Sequence, residues 1–438
     1  MSKTTKIPAN LLNLFINNSD EKVEQDIISL GNEINVKRKE SRLALKVLLY
    51  NFYASGKKRV ITPRDKKPFG SERYNPHGMG YKAYITALQG LLENGYIDQE
   101  LGYKDKKTWD GVSTTSWAKR KLIQYFNDCQ WSENPHWNFK YHTEYVLLRE
   151  NVKRDRWDKR RKNDKLLDYK DSDYSIKLRK ALKEYNELIN QSQIQVIKTN
   201  KAGVESISRE FNNLHLTRKF IQHASNTGEV LLSYGGRMYA PWCDLSSIQR
   251  KHIRINGNKT IELDLEASAI NMVYLQMTGK RYPEGDPYHL EFEELGAEIP
   301  RESVKRLTNM MFNNETMKAA VMALESYFNP SDNFDDNRSQ KDKKDMKAYN
   351  QMKNFISPSQ LGQMILEKHQ LIDKYFLQGK KVGDLILCYE SDRVFEIIRR
   401  FTQENIPVLT VYDSFIVEEK HQDKLMELMD RMYPLSLV

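Results

Sequence analysis

Two aspartates in the C-terminal half lie where a β-strand is predicted to end, a position from which a carboxylate can face a cleft. Asp264 closes the segment TIELD, in which Ile261 and Leu263 alternate with polar residues, and a helical pattern follows it. Asp413 lies between the β-rich runs VLTVY and FIV, which predict a tight strand–turn–strand. Carboxylates held in this way are suited to binding divalent cations.

A polar stripe lies on a predicted helix between these aspartates. In the segment RESVKRLTNMMFNNETMKAAVMAL, polar residues recur at every fourth position from the first residue to the thirteenth. This stripe consists of Arg301, Lys305, Asn309 and Asn313. Two cations one turn apart suit a triphosphate, and the two amides could meet its sugar or base. An ordinary solvated basic face would have the same spacing, so the spacing alone leaves both interpretations open.

These residue types together match the needs of nucleotidyl transfer. In that reaction two Mg²⁺ ions about 3.5–4 Å apart stabilise the attacking and leaving oxygens. Mg²⁺ is held by one or two protein carboxylates plus substrate phosphates. Asp264 and Asp413 would supply these carboxylates. Arg301 and Lys305 would neutralise the charge that builds on pyrophosphate. The expected cofactor is therefore a pair of Mg²⁺ ions, for which Mn²⁺ could substitute.

Length and composition limit the class of protein. The chain has 438 residues and a formal net charge of +10, so we expect two or three domains and a polyanionic partner, nucleic acid first. Its three cysteines are far apart, which argues against a disulfide framework or a structural zinc site. We find no apolar run that could span a membrane and no cleavable leader. We therefore expect no membrane partner and a cytoplasmic location.

The N-terminal part predicts a small DNA-binding domain. Residues 1–38 have no assignable role. Within residues 39–150, helical patterns end at Gly56 and Gly95, and a short strand and a charged hairpin, Gly102 to Gly111, follow. Two helices before a basic hairpin resemble a winged helix, whose second helix enters the major groove of DNA. A generic small α+β domain would show the same pattern.

Residues 151–230 predict a linker and a long helix. The segment KRDRWDKRRKNDK, residues 153–165, is either a phosphate-contacting segment or a solvated linker. From Ser175 a long amphipathic helix follows, which could be a thumb-like helix lying across a duplex or a packing helix. Further on, residues 330–347 are rich in Asp, Asn and Lys, and this composition predicts a loop.

The three segments that carry chemistry resemble, in this order, motifs A, B and C of the A-family polymerases. That superfamily includes bacterial DNA polymerase I and the phage-type single-subunit RNA polymerases. Asp264 matches motif A, Arg301 and Lys305 match the Arg-x-x-x-Lys of motif B, and Val411-Tyr412-Asp413 matches motif C. Upstream, GGRMYAPW resembles the Gly-Arg element that precedes motif A. The resemblance covers about residues 216–438.

This resemblance implies an α+β chain with a right-hand palm and fingers over residues 231–438, after the winged-helix-like domain and the thumb-like segment. It implies three sets of site residues: metal ligands at Asp264, Leu265 and Asp413; nucleotide-binding residues at Arg301, Lys305, Asn309, Asn313 and Ala269; and nucleic-acid-binding residues at Arg237, Tyr412, Lys251 and Arg254. The implied partners are a DNA template and primer and NTP or dNTP substrates. Because the thumb looks short, a small accessory subunit could aid processivity. The likeness is to compact members encoded by phages and mobile elements, which implies a bacterial host cytosol.

Three positions depart from the family pattern. The motif C His is Tyr412, and the aromatic residue expected on the fingers helix is Asn313. DNA polymerases of the family have a Glu that closes off the space near the sugar 2′-OH, and Ala269 occupies that position here. We therefore expect ribonucleotides to be tolerated. The first 200 residues contain no convincing Asp-x-Glu exonuclease segment, so we expect no proofreading. DNA synthesis or priming, transcription, and a non-catalytic replication initiator all remain open, and Glu390, near motif C in sequence, is a further site candidate.

Overall fold

The fold is described for most of the chain in a computed structural model. The described residues are numbers 9–12, 14, 21–56, 58–104, 111–131, 144–151, 166–200, 203–211, 214–223, 232–292, 297–329 and 339–433. The basic segment 153–165 and the tip of the predicted hairpin at 102–111 lie outside these residues. Helices and strands mix throughout, which confirms the predicted α+β class.

Two compact units make up the chain. Unit 1 comprises residues 1–144 and 152–170, and unit 2 comprises residues 145–151 and 171–438. This division differs from the boundaries predicted at residues 38, 150 and 230, because elements on both sides of residues 38 and 230 share one core or one sheet.

The helices are α1 (Glu21–Glu33), α2 (Lys39–Ser55), α3 (Tyr81–Glu93), α4 (Arg120–Asp128), α5 (Asp173–Gln191), α6 (Ser247–Arg250), α7 (Ser268–Thr278), α8 (Arg301–Asn313), α9 (Met317–Phe328), α10 (Gln340–Met352), α11 (Pro358–Lys368), α12 (Lys380–Gln403) and α13 (Gln422–Met432). None of the helices within the described ranges is long and apolar enough to cross a lipid bilayer.

The strands are β1 (Ala9–Leu11), β2 (Arg59–Ile61), β3 (Ile97–Glu100), β4 (Tyr103–Lys104), β5 (Gly111–Val112), β6 (Thr115–Ala118), β7 (Val146–Glu150), β8 (Ile194–Thr199), β9 (Glu205–Phe211), β10 (Thr217–Gln222), β11 (Gly235–Tyr239), β12 (Ile253–Ile255), β13 (Asn258–Asp264), β14 (Glu291–Phe292), β15 (Ala297–Glu298), β16 (Val408–Val411) and β17 (Ser414–Glu418).

Unit 1 is a helical core against a four-stranded sheet of order β1-β2-β6-β3. The helix predicted to end at Gly95 is α3, which buries Tyr84, Leu88 and Leu91 as its spacing predicts. Strands β3 and β6 form an antiparallel hairpin, and the small pair β4–β5 extends it. Helix α1 packs Ile27 and its apolar neighbours into the same core. Part of the segment without a predicted role therefore belongs to the core of unit 1.

Unit 2 contains two main sheets. The larger has the order β16-β17-β13-β12-β8-β9, and the smaller has the order β11-β10-β7. The strand predicted to end at Asp264 is β13, and the predicted strand–turn–strand around Asp413 is the hairpin β16–β17, so both predictions are confirmed. Strands β8 and β9 lie in the same sheet as β13, and the hydroxyl of Tyr185 on α5 donates to the carbonyl of Val408 on β16 at 2.7 Å. The segment predicted as thumb-like is thus packed into unit 2.

One local prediction is wrong. The composition of residues 330–347 predicts a loop, but residues 340–347 begin helix α10; residues 330–338 lie outside the described residues. Ser339 caps this helix in a reciprocal capping box with Asp342, and Tyr349 is buried against Phe328 with ring centroids 4.3 Å apart. A cap and a few buried side chains stabilise a helix that its charged composition disfavours.

Candidate active site

Strand pairing brings the two predicted carboxylates together. Asp264 lies opposite Ser414 where β13 pairs with β17, and the N–H of Leu265 donates to the carbonyl of Asp413 at 3.0 Å. The Asp264 side chain is exposed and that of Asp413 is half-buried. The two aspartates, 149 positions apart in the numbering, therefore occupy neighbouring strands at one end of the sheet.

The electrostatics of Asp264 show an excess of negative charge around this carboxylate. Atoms packed around its inner side desolvate this carboxylate and raise its pKa to about 6, although its outer side meets solvent. The charge of Asp413 raises the pKa of Asp264 further, with smaller contributions from Glu262 and Glu390, while Lys305 opposes them. A divalent cation at this point would relieve the repulsion, as metal ions do in carboxylate sites.

The donor set fits Mg²⁺ rather than a metal held by protein alone. Among the residues that the structure describes, no three His, Cys, Asp or Glu side chains form a metal-binding group. Glu262 is already engaged, because Arg250 donates to both of its oxygens and the hydroxyl of Ser414 donates to one of them. Asp264 and Asp413 remain, and Mg²⁺ commonly binds one or two carboxylates while substrate phosphates and water complete its shell. Of the predicted ligands, Leu265 could contribute only its backbone carbonyl.

Helix α8 places Lys305 within electrostatic reach of Asp264. The helix begins at Arg301, as the polar stripe predicts, and buries Leu307 and Met311 on its other side. The ammonium of Lys305 is near enough to Asp264 to lower the pKa of that carboxyl. The predicted order of strand, helix and turn therefore assembles Asp264, Lys305 and Asp413 in one place.

Arg301 is held one helical turn from Lys305. Its guanidinium forms an ion pair with Asp286 through both carboxylate oxygens and lies over the ring of Tyr288, 5.2 Å from the ring centroid. Burial raises the pKa of Tyr288, and the charges of Arg301 and Asp413 both act on its hydroxyl. Asp286 also accepts the N–H of Tyr288 at 3.0 Å, within a turn that no helix follows, so Asp286 is not the helix cap that its sequence context predicts. An incoming phosphate would have to replace Asp286 at Arg301.

The two amides of the stripe have different surroundings. The Oδ1 atom of Asn309 is buried and has no hydrogen-bond partner within the described structure. Asn313 lies against α12, since a Cβ placed on Gly383 would come within 2.1 Å of its Oδ1. It follows Lys305 by eight residues, or about 12 Å of helix, so the structure does not bring Asn313 to the carboxylates. Asn309 is therefore left with one buried acceptor that no described group satisfies.

A buried glutamate connects β11 to the start of α7. Arg237 donates from Nη2 to Glu390 at 3.2 Å, and the hydroxyl of Ser268 donates to the other oxygen of Glu390 at 2.7 Å. Glu390 is 3% exposed, and burial raises its pKa; Arg237 opposes this shift, and Asp413 adds to it. The guanidinium of Arg237 also lies over the Tyr412 ring, 4.8 Å from its centroid. Closeness in sequence indicated Glu390, but no pattern predicted its partners.

Strained backbone lies next to both carboxylates. Tyr412, directly before Asp413, has a φ of 60°, and Ala267, three residues after Asp264, has a φ of 47°. These left-handed conformations are unfavourable for residues other than glycine and often occur at functional sites. Ala269, the second residue of α7, is half-buried close to this bend.

The remaining predicted contacts lie elsewhere. Lys251 is exposed just after α6. Arg254 on β12 pairs with Lys259, whose side chain points to the face of β13 opposite Asp264 because side chains alternate along a strand. Arg254 donates to Glu205 at 3.2 Å. The Arg254 side chain therefore faces away from the carboxylates, and its predicted contact with nucleic acid stays a prediction.

His369 forms hydrogen bonds that stabilise the loop containing Asp286. Its Nε2–H donates to the carbonyl of Pro287 at 3.0 Å, and its Nδ1 accepts the hydroxyl of Tyr274 at 2.9 Å. Burial lowers the pKa of His369 to about 4, whereas an unfolded histidine titrates near pH ~6.5. The folded protein therefore binds fewer protons than the unfolded chain below pH ~6.5.

We expect the stability contributed by His369 to be fully present above pH ~6.5 and to fall by about 3 kcal/mol as the pH drops toward ~4. Urea unfolding at stepped pH would measure this change. His369→Gln should give a flatter profile over that range, whatever its absolute stability. The profile keeps part of its slope because the pKa of the half-buried His215 is also lowered to about 4 by desolvation. Equal slopes for the variant and the parent would contradict the assignment.

Comparisons with known proteins add no relative to this geometry. No protein-family model, no curated protein and no solved structure matches the chain.

Proposed function

We propose that this protein is a template-directed nucleotidyltransferase that extends or primes DNA strands and tolerates ribonucleotides. The observation that carries the proposal is the pairing of Asp264 and Asp413 on hydrogen-bonded strands with Lys305 beside them. The motif order of the A-family polymerases, which the sequence resembles, supports the same conclusion. In that likeness unit 2 contains a palm built on β13, β16 and β17 and a fingers helix, α8.

The site residues divide the work of phosphoryl transfer. When bound, Mg²⁺ held by Asp264 and Asp413 would polarise the phosphoryl oxygens and activate the attacking hydroxyl. Lys305 lies where it can neutralise the triphosphate, and Arg301 becomes available once a phosphate replaces Asp286 as its partner.

A second group of residues suits the end of the growing strand. Arg237 and Tyr412 stack beside Asp413, and the buried Glu390 fixes Arg237 in that position. A guanidinium held by a buried carboxylate keeps a defined geometry toward a sugar or phosphate. Ser268 fixes the same carboxylate, so the strand end and the motif A helix are positioned together.

Unit 1 supports the DNA-binding part of the proposal. It runs helix α2, strand β2, helix α3 and then the hairpin β3–β6, with β6 central between β2 and β3. This order is that of a winged helix, in which α3 would enter the major groove and the hairpin would form the wing. The exposed side of α3 carries Lys82, a residue able to contact phosphate.

Sugar selection is the property for which Ala269 makes a sharp prediction. We expect Ala269→Glu to shift the ratio of kcat/KM toward dNTP over NTP by about tenfold or more, because a larger side chain would crowd the 2′-hydroxyl. Steady-state extension with each substrate class would measure it, with Ala269→Ser as the control that keeps the side chain small. A ratio that stays constant in Ala269→Glu would show that another residue selects the sugar.

One experiment tests the proposal as a whole. The purified chain is given single-stranded DNA with and without an annealed primer, dNTPs or NTPs separately, and Mg²⁺, Mn²⁺ or EDTA. We expect metal-dependent extension with dNTPs, measurable incorporation of NTPs, and no shortening of labelled primers. Synthesis from NTPs alone would favour the RNA polymerase alternative, to which the small Ala269 points. DNA binding without any synthesis would favour a non-catalytic initiator.

A further inference from the structure

The small sheet of unit 2 has two different faces. The face packed into the unit carries buried side chains at alternate positions: Val146, Leu148, Arg218, Phe220 and Met238. The other face carries half-buried side chains at Leu147, Arg149, Thr217, Lys219, Arg237 and Tyr239. Half-buried cations and an aromatic ring therefore dominate this second face, on which Ile221 is the buried apolar residue of β10.

Three cations cross this face from strand to strand. Lys219 on β10 lies opposite Arg237 on β11, and Arg149 on β7 lies opposite Ile221, two positions further along β10. Directly opposed residues have Cβ atoms about 5 Å apart, and like charges at that distance destabilise a sheet. For Arg237, the ion pair with Glu390 offsets part of this repulsion. Burial lowers the pKa of Lys219 and the charge of Arg149 lowers it further, while Asp244 opposes both. An anion bound over the stripe would relieve this repulsion.

Aromatic rings alternate with the cations along the same line. The ammonium of Lys219 lies over Tyr239, 4.4 Å from the ring centroid. Tyr239 packs edge to face against Tyr412 with ring centroids 6.3 Å apart. Arg237 also lies over the Tyr412 ring, 4.8 Å from its centroid. Tyr412 directly precedes Asp413, so the line of rings and cations leads to the candidate active site. Alternating cations and rings are how proteins bind single nucleic-acid strands, through phosphates and stacked bases.

We propose that this face, defined by Arg149, Lys219 and Tyr239, holds the growing strand just upstream of its 3′ end. Lys219 and Arg149 bind its phosphates, and Tyr239 supports a base or sugar. The choice of the growing strand over the template rests on the proposed function, because a reacting 3′ end must lie at Asp413. Arg237 and Tyr412 belong to the site already described, and the strand path extends from them.

Binding measurements on the full chain test the path. The probes are a fluorescein-labelled single-stranded oligodeoxynucleotide and a primer–template with a recessed 3′ end, titrated in EDTA over a range of salt. We expect Lys219→Gln to weaken primer–template binding by about tenfold at low salt and to reduce the salt slope by about one. Lys219→Arg should restore both, which separates loss of charge from misfolding.

A matched control lies on the other side of the sheet. Lys177 is exposed on α5, the helix whose Tyr174 contacts the buried Arg218 of β10. Lys177→Gln removes the same charge from the same unit and should leave affinity and slope unchanged. If Lys219→Gln binds the primer–template with the parental affinity and slope, the strand path is overturned.

Crosslinking identifies the strand. In Tyr239→p-benzoylphenylalanine, irradiation should attach the protein to a labelled primer and not to a labelled template. Crosslinks to the template alone, or to neither strand, would overturn the assignment. Neither assay requires synthesis, so the path can fail while primer extension succeeds. Conversely, an inactive protein whose Lys219 and Tyr239 still contact the primer would remove the proposed function and leave strand binding by this face intact.

Discussion

Replacing Asp413 by asparagine is expected to reduce primer extension by ~10³-fold or more while leaving primer–template affinity nearly unchanged. The amide keeps the size of the side chain but withdraws half of the carboxylate pair on β13 and the β16–β17 turn. Loss of about 4 kcal/mol of charge stabilisation in the transition state corresponds to that factor. Single-turnover extension and fluorescence anisotropy on the same preparation would measure the two quantities.

The fold should survive this change. The charge of Asp413 raises the pKa of Asp264, so its removal relieves repulsion and should leave the melting temperature in EDTA no lower than that of the parent. Mg²⁺ should raise the melting temperature of the parent and fail to do so for Asp413→Asn. Asp423→Asn, an exposed aspartate on α13, is the matched control and should extend normally. Comparable extension by Asp413→Asn would end the two-metal proposal.

Lys305→Ala is expected to lower kcat/KM for the incoming nucleotide by about 10²-fold. The ammonium acts on Asp264 from the face of α8 that would meet the triphosphate, and Arg301, one turn away, is paired with Asp286. Since Lys305 lowers the pKa of Asp264, its loss should raise that pKa. The acidic limb of the pH–rate profile would therefore move to higher pH, because the carboxylate must be ionised to hold metal.

Two variants make the result specific to position. Lys305→Arg retains the charge and should recover part of the rate and the parental acidic limb. Lys318→Ala removes an exposed lysine from the neighbouring helix α9 and should change neither. A parental kcat/KM in Lys305→Ala would mean that α8 does not face the nucleotide.

The local features of the site were predictable because each is encoded within a dozen residues. The alternation before Asp264, the i to i+4 stripe on α8 and the β-rich runs around Asp413 each predict an element, and the structure confirms all three elements. Their catalytic role stays a prediction. The pairing of β13 with β17 joins residues far apart in the chain, and family order rather than any local pattern indicated it.

The sequence did not reveal features that depend on partners from distant parts of the chain. Glu390 meets Arg237 across 153 residues, and no periodicity encodes such a contact. Arg254 is basic and close to motif A in sequence, yet strand alternation turns it to the other face. The unit boundaries differ from the predicted ones for the same reason, since β8 and β9 join a sheet whose other strands come much later.

Strand β7 has a consequence for how the chain can be cut and how it folds. Residues 145–151 belong to unit 2, while the segments on both sides of them belong to unit 1. The polypeptide therefore passes from one unit to the other three times, and no single cut separates the units. During synthesis β7 must wait for β10, its parallel partner about 70 residues later, before it can pair. We expect a fragment that begins at residue 171 to aggregate through the unpaired edge of β10.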